Sequence, residues 1–184
     1  MSKIYLLSIF LILTIFAKSQ ELEYKMITAA AKGDKQTIKD CLNKGAKINA
    51  KNKARWTALG YAVRYKHKDI VEYLISKGAD VNKTVNTGNS PLYVALMTNN
   101  IPMADYLISK GAIIDKKDYS GMTTLAWAAK YNNIAVVKYL VEKGSDINAK
   151  NTNARTVLDV SSLGIVKNYL RSHGAKTSQE LLKQ

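Results

Sequence analysis

The amino-acid sequence predicts an all-α solenoid of stacked helix–turn–helix units with β-turn loops, preceded by an N-terminal export signal. Three observations predict it: a repeat of constant length, two short amphipathic segments in each repeat, and an apolar run near the N-terminus. Of the 184 residues, 47% are apolar, 10 are Gly and 2 are Pro, which excludes a disordered or collagen-like chain. A single Cys excludes a disulfide framework and a multi-cysteine metal site.

Residues 1–19 have the layout of a secretory signal peptide. Lys3 supplies a basic start, residues 4–17 carry no charge, and small residues stand at Ala17 and Ser19. A membrane-spanning helix needs about 20 apolar residues, so this run is short for one. We therefore predict cleavage after Ser19 and an exported mature chain, periplasmic or secreted, that does not span a membrane. An uncleaved signal anchor is the alternative.

The remaining chain repeats every 33 residues. Residues 73–79 (YLISKGA) recur unchanged at 106–112. Three sets of equivalent residues keep the same spacing: Gly45, Gly78, Gly111 and Gly144; Thr57, Ser90, Thr123 and Thr156; Leu59, Leu92, Leu125 and Leu158. This self-similarity is typical of a solenoid, in which each repeat buries its apolar face against its neighbours. We predict five units, at about 20–51, 52–84, 85–117, 118–150 and 151–184, of which the first and last are caps.

Within a repeat, the pattern predicts two short helices separated by a tight turn. In the second unit Thr57 should cap the first helix, and Lys66 should end it where the other repeats have residues that tolerate a left-handed backbone, namely Gly33, Asn99 and Asn132. His67 should cap the second helix, as the acceptors at the same position in other repeats do, namely Asp34, Asn100 and Asn133. The last unit is three residues short and is compressed at 161–164, with a closing polar turn expected at 177–184.

These repeats resemble the ankyrin repeat, which has 33 residues and a T-P-L-H-x-A signature. The signature is matched by TALGYA at 57–62, SPLYVA at 90–95 and TTLAWA at 123–128, and the downstream G-A-D-x-N by GADVN at 78–82 and GSDIN at 144–148. The resemblance covers residues 20–184 and implies a module that binds other proteins. Its signature His is absent, replaced by Gly60, Tyr93, Ala126 and Asp159. We therefore expect moderate stability.

No residue pattern indicates catalysis, a cofactor or a metal site. The only histidines are His67 and His173, and the repeat places no Asp, Ser or Cys to complete a catalytic triad with either. Cys41 occupies the position of buried leucines in the other repeats and should point into the core. We predict a protein that is not an enzyme and has no cofactor.

The net charge is +14, from 28 Lys and Arg against 14 Asp and Glu. It is spread over the repeats and comes mostly from Lys, whereas nucleic-acid readers favour clustered Arg. We therefore expect no nucleic-acid partner. A solvated lysine surface is the simplest interpretation, and weak attraction to anionic lipid, polysaccharide or an acidic protein is the functional one.

The resemblance implies that partners are held by the loop tips and the exposed face of each first helix. On this chain the candidate partner-binding residues are Lys53, Trp56, Arg64, Tyr65, Asn89, Met97, Tyr119, Met122, Lys130, Tyr131 and Arg155. Exposed aromatic, Met and Arg side chains on one concave surface are typical of binding hot spots. Tyr61 and Trp127 border this surface and are weaker candidates, because the repeat places them between helices. The alternative is that the rings only shield neighbouring repeats.

The leading hypothesis is a non-catalytic, exported, monomeric binding module that holds an unidentified protein on the concave face of repeats two to four. Two alternatives stay open. One is a secreted effector that acts on a host protein, and the other is an envelope-surface binder that uses the positive charge. An acidic partner would suit that charge.

Overall fold

The computed structural model describes residues 2–162 and 164–183, and every regular element within them is an α-helix. The all-α prediction is therefore confirmed. The chain divides into two compact units, residues 1–85 and 86–184.

Unit 1 contains four helices: α1 (Ser2–Lys32), α2 (Lys35–Asn43), α3 (Ala58–Arg64) and α4 (Lys68–Ser76). Helix α1 packs against α2 and α3, and α3 packs against α4. Its core is formed by fully buried side chains that include Met26, Ile38, Leu59 and Leu74. Cys41 lies buried on α2, as its alignment with the core leucines predicts, and burial raises the pKa of its thiol.

Unit 2 contains seven helices in its described part: α5 (Pro91–Met97), α6 (Ile101–Ser109), α7 (Thr124–Lys130), α8 (Ile134–Glu142), α9 (Val157–Val160), α10 (Gly164–Ser172) and α11 (Ser178–Leu181). Helix α5 packs on α6 and α7, while α7 also packs on α8 and α9. At least one fully buried Leu lies on each of five of these helices, α5, α6, α7, α8 and α10. The constant spacing of these leucines builds the core one repeat at a time.

The caps lie where the repeat predicts them. Thr57 and Thr123 accept a hydrogen bond from the third backbone N–H of their helices, and Asn100 and Asn133 do so for α6 and α8. The first helices of the first four repeats are each followed by a residue with a left-handed backbone, and Lys66 has a φ of 62°. The repeat signature therefore specifies where each helix begins and ends.

His67 occupies the predicted N-cap position of α4, but its side chain makes no capping hydrogen bond. The expectation therefore holds for the position of His67 and not for its side chain. Its Nε2 instead lies 3.2 Å from the carbonyl oxygen of Ala31, and its ring lies close to Gly33. An imidazole is longer than an Asn or Asp side chain, so it extends past its own helix to the preceding repeat.

The last repeat is closed by Asp159 rather than by a full-length first helix. Helix α9 has only 4 residues. The Asp159 carboxylate accepts hydrogen bonds from the backbone N–H of Thr156 at 2.8 Å and of Ser178 at 2.9 Å. Helix α11 then adds the expected polar turn, with Thr177 and Glu180 forming a capping box. Leu163 and Gln184, at the compressed turn and the C-terminus, lie outside the described residues.

Helix α1 runs without a break from the predicted export signal into the first repeat. Tyr5 and the large apolar side chains from Leu7 to Phe16 are exposed, whereas Met26 and Ile27 are buried. Ser19, the predicted cleavage residue, is half-buried, and its hydroxyl donates a hydrogen bond to Glu23. Of the helices in residues 2–162 and 164–183, none has the combined length and apolar character that crossing a membrane requires.

Candidate partner-binding surfaces

In repeats two, four and five, the loop before the first helix is a short hairpin held by one side chain. Asn52, Asp118 and Asn151 occupy equivalent positions, and each accepts a hydrogen bond on Oδ1 from the backbone N–H four residues later, at 3.0, 2.9 and 3.0 Å. Each of the three also donates its own backbone N–H to the carbonyl of that same residue, at 3.0 Å. This pairing fixes the loop tip against the helix that follows.

In unit 2 the loop tips are bonded to one another. The backbone N–H of Tyr119 donates to the carbonyl of Thr87 at 3.3 Å, and that of Thr152 donates to Ser120 at 3.1 Å. Gly121, with a φ of 72°, makes this approach possible, because a Cβ there would lie 2.6 Å from the backbone nitrogen of Thr152. These loops therefore form one connected edge within the unit.

In unit 1, four rings form a row along α3 that we name the unit 1 aromatic row: Trp56, Tyr61, Tyr65 and His67. Ring centroids lie 5.0 Å apart between Trp56 and Tyr61, 6.2 Å between Tyr61 and Tyr65, and 6.4 Å between Tyr65 and His67. The Arg64 guanidinium covers the Trp56 ring at 5.2 Å. The row is thus packed along its length and opens to solvent at Tyr65, which is 51% exposed.

In unit 2, three rings form what we name the unit 2 aromatic cluster: Tyr93, Trp127 and Tyr131. Trp127 stacks on Tyr131 at 5.3 Å and meets the edge of Tyr93 at 6.4 Å. The Lys130 ammonium lies 4.6 Å from the centre of the Trp127 ring. Tyr131 is 61% exposed, so this cluster presents ring surface directly to solvent.

Asp118 holds the indole of Trp127 in place. Its Oδ2 accepts a hydrogen bond from Trp127 Nε1 at 2.8 Å, while Oδ1 accepts from the backbone N–H of Ser120 and Met122. A charged acceptor bonded to both the loop and the helix restricts the rotation of the ring. Asn52 in unit 1 is its equivalent, and it reaches the Tyr61 hydroxyl at 3.4 Å.

Two open hollows flank Trp127. The first, of about 620 Å³, we name the basic hollow, and its lining includes Met122, Trp127, Lys130 and Arg155. The second, of about 610 Å³, we name the aromatic hollow, and its lining includes Tyr93, Tyr119, Trp127 and Tyr131. Burial, together with the nearby Tyr131 and Asp118, raises the pKa of Tyr93, so its hydroxyl stays a neutral donor. Trp127 therefore forms a ridge between a cationic hollow and an aromatic one.

The candidate residues differ in how they meet solvent. Lys53, Arg64, Tyr65, Tyr119, Lys130, Tyr131 and Arg155 are exposed, and Asn89 and Met97 are half-buried. The expectation that Trp56 and Met122 are exposed is wrong, because they are only 9% and 6% exposed. Trp56 lies under Arg64 and against Tyr61, and the sulfur of Met122 accepts a hydrogen bond from Asn151 in the loop of the next repeat. Both side chains support the surface from beneath.

Four residues matter more than the sequence indicated. Trp127 and Tyr61, which were weaker candidates, are the half-buried centres of their ring assemblies, and Tyr93 and Asp118 were not candidates. A signal for them exists: Asn52 precedes Tyr61 by 9 residues, and Asp118 precedes Trp127 by the same distance. A polar loop residue followed at that interval by a ring with a polar group indicates a loop-to-helix bond.

The part of the chain that the structure describes contains no group of three or more His, Cys, Asp or Glu side chains placed to hold a metal ion. His173, at the end of α10, stacks on Tyr169 at 4.1 Å, and its Nδ1 lies 2.8 Å from the Tyr169 carbonyl oxygen. His173 therefore lies directly after the C-terminus of α10.

Comparison with known families adds a specific match. The family model described as ankyrin repeats matches three overlapping stretches of the chain, residues 10–85, 26–118 and 78–151. Together they extend over well more than half of the sequence. No curated protein matches the chain.

Proposed function

Because the chain belongs to the ankyrin repeat family, whose repeats generally serve in protein–protein interaction, we propose that it is an exported, non-catalytic binding protein. It holds a protein partner on the loop tips and first helices of repeats two to four. The family is typically a scaffold without catalytic activity. The observation that carries the proposal is the exposed ring surface of the unit 2 aromatic cluster beside Lys130 and Arg155.

The exposure of the rings supports binding over simple shielding of neighbouring repeats. A ring that only shields a neighbour loses most of its contact with water, as Trp56 does. Tyr65, Tyr119 and Tyr131 instead keep between 51% and 61% of their surface exposed. Large rings with few rotatable bonds give contact area at low entropic cost. The Asp118–Trp127 bond lowers that cost further by holding the ridge in its bound orientation.

The experiment recovers proteins that bind the full chain from extracts of the producing cells and of their surroundings, and repeats the recovery with Tyr65→Ala, Tyr119→Ala and Tyr131→Ala combined. We expect recovery to fall about tenfold or more, because hot-spot rings each contribute about 2 kcal/mol or more. Tyr24→Ala, an equally exposed tyrosine on α1, is the matched control. If the triple variant recovers the same partner at the same yield, these rings do not bind it.

Export is supported by the exposed apolar side chains from Leu7 to Phe16, which do not contribute to the repeat core. Ser19 is half-buried and hydrogen-bonded in the folded helix, so a peptidase would act before α1 packs. Mass spectrometry of the protein from its producing cell should show a chain that begins at Gln20. A chain that retains residues 1–19 would favour the uncleaved anchor, and fractionation of cells against medium separates a periplasmic protein from a secreted effector.

The envelope-surface alternative rests on the positive charge, which falls from +14 to +12 when Lys3 and Lys18 are removed with the signal. Attraction through solvated lysines weakens steeply between low and physiological salt, because the Debye length shortens. Contact through buried rings changes little over the same range. Measuring the binding of the recovered partner at both salt concentrations therefore separates the two mechanisms.

A further inference from the structure

Resting on the proposed function, we propose that unit 2 binds a partner segment in which an Asp or Glu lies close to an aromatic side chain. The aromatic side chain enters the aromatic hollow, and the carboxylate enters the basic hollow. The two hollows share Trp127 and Ser120 in their linings, so they are adjacent. One short peptide can therefore reach both.

The basic hollow has the charge that a carboxylate requires. Its described lining includes the cations Lys130 and Arg155 and no Asp or Glu. The Arg155 guanidinium donates one hydrogen bond, to the carbonyl oxygen of Asp159 at 2.5 Å. A guanidinium has five N–H donors, so others remain for a ligand, and the bond to the carbonyl restrains its position.

The nearby carboxylates are already engaged by the protein itself. The oxygens of Asp118 accept bonds from Trp127, Ser120 and Met122. The Asp159 carboxylate accepts from the backbone of Thr156 and Ser178, which holds its pKa below the usual value although burial acts to raise it. In the described part of the chain no ion pair joins these acids to Lys130 or Arg155, so the positive charge of the hollow is available to a partner.

The aromatic hollow suits a flat side chain rather than an aliphatic one. Its rings differ in orientation, because Tyr131 stacks on Trp127 at 18° whereas Tyr93 meets it at 71°. A ring that enters between them can stack on one wall and meet the edge of another, as aromatic pairs prefer. Thr87 and Asn89 at the rim add polar groups for the peptide backbone. Nucleic acid is a less suitable ligand than a peptide, because its binding requires a row of cations along the phosphates.

The experiment selects random peptides of about twelve residues, displayed on phage, on the purified full chain. We expect enriched peptides to carry Asp or Glu within about four residues of Trp, Tyr or Phe. For a synthetic copy of the best peptide, replacing the acid by Gln should weaken binding about tenfold, as expected for a charge pair worth about 1.4 kcal/mol. Enriched peptides without an acid would overturn the proposal, as would displacement of the peptide by oligothymidine at equal concentration.

Variants locate the two contacts. Lys130→Glu with Arg155→Glu should switch the selected charge from acidic to basic, and circular dichroism confirms that the variant is folded. Lys167→Glu with Lys183→Glu changes the net charge equally at exposed residues outside the hollow and should leave the selection unchanged. Lys130→Glu alone should weaken the acidic peptide if the double variant does not fold. Tyr131→Ala should remove the preference for a ring while the acid is still selected.

The outcome is separable from that of the proposed function. If the tyrosine variants lose the recovered protein but the selected peptides lack the acid–aromatic pair, the binding surface stands and this inference is wrong. If the tyrosine variants keep the recovered protein, the proposed function itself is wrong.

Discussion

The unit 1 aromatic row and the unit 2 aromatic cluster use the same loop-to-helix construction in two different ways. In unit 1 the tryptophan is Trp56 at the loop tip, and it is buried beneath Arg64. In unit 2 the tryptophan is Trp127 on the helix, half-buried and bonded to Asp118. The first arrangement uses its largest side chain for packing, and the second keeps it at the surface. The comparison teaches that the same repeat can bury a large ring in the packing or keep it at the surface.

The largest effect on stability should come from replacing each of the two tryptophans by alanine in a separate variant. Trp56→Ala should lower the free energy of unfolding by about 3–5 kcal/mol, the usual range for a buried Trp. Trp127→Ala should cost about 1–2 kcal/mol, because less apolar area is buried, while abolishing binding to the selected peptide. Urea unfolding followed by circular dichroism measures the first quantity. Equal losses of stability would remove the distinction between the two units.

The next effect concerns the loop residue that holds the central ring. Asp118→Asn should cost about 1–2 kcal/mol, because Trp127 Nε1 loses its charged acceptor. Asn52→Asp, the reciprocal change, should stay within about 0.5 kcal/mol, because the backbone N–H of Trp56 keeps its acceptor. In a Trp56→Phe background, the emission of Trp127 should shift to longer wavelength on Asp118→Asn. An unchanged spectrum would show that Asp118 does not position the ring.

The smallest expected effect is on the dependence of stability on pH. Unit 1 has Gly60 where unit 2 has Asp159, whose pKa is held below its ordinary value by backbone N–H groups despite its burial. A lowered pKa favours the folded state above the unfolded value of about 3.8, and this contribution is lost as pH falls through the lower folded pKa. Asp159→Asn should therefore cost about 1 kcal/mol at pH 7 and little at pH 2. Thermal unfolding at both pH values tests this, and an equal loss at each would contradict it.

The fold was predictable because the repeat period of the sequence sets the position of each helix. Thr57, Ser90 and Thr123 begin the first helices, and Lys66, Asn99 and Asn132 end them, so the spacing in the sequence places the elements directly. The division into residues 20–51 through 151–184 and the cleavage after Ser19 remain predictions. Each repeat of the sequence pattern therefore forms the same backbone elements.

The candidate surface was only partly predictable, because exposure depends on neighbours that the period does not specify. Trp56, Asn89, Met122 and Arg155 occupy one equivalent position, yet Trp56 and Met122 are buried, Asn89 is half-buried and Arg155 is exposed. Arg64 covers the first of them, and nothing in the spacing indicates that contact. The orientation of each ring depends on which nearby side chain contacts it.

Because Cys41 is buried, the reactivity of its thiol reports local opening of the native protein. It is the single thiol among 184 residues, and its side chain is enclosed by unit 1. A thiol reagent added to the native protein can react only in molecules whose first repeat has transiently separated, since the closed form shields the sulfur and disfavours the thiolate. The labelling rate therefore measures transient opening of the N-terminal repeat without any engineered probe. It can be compared before and after residues 1–19 are removed.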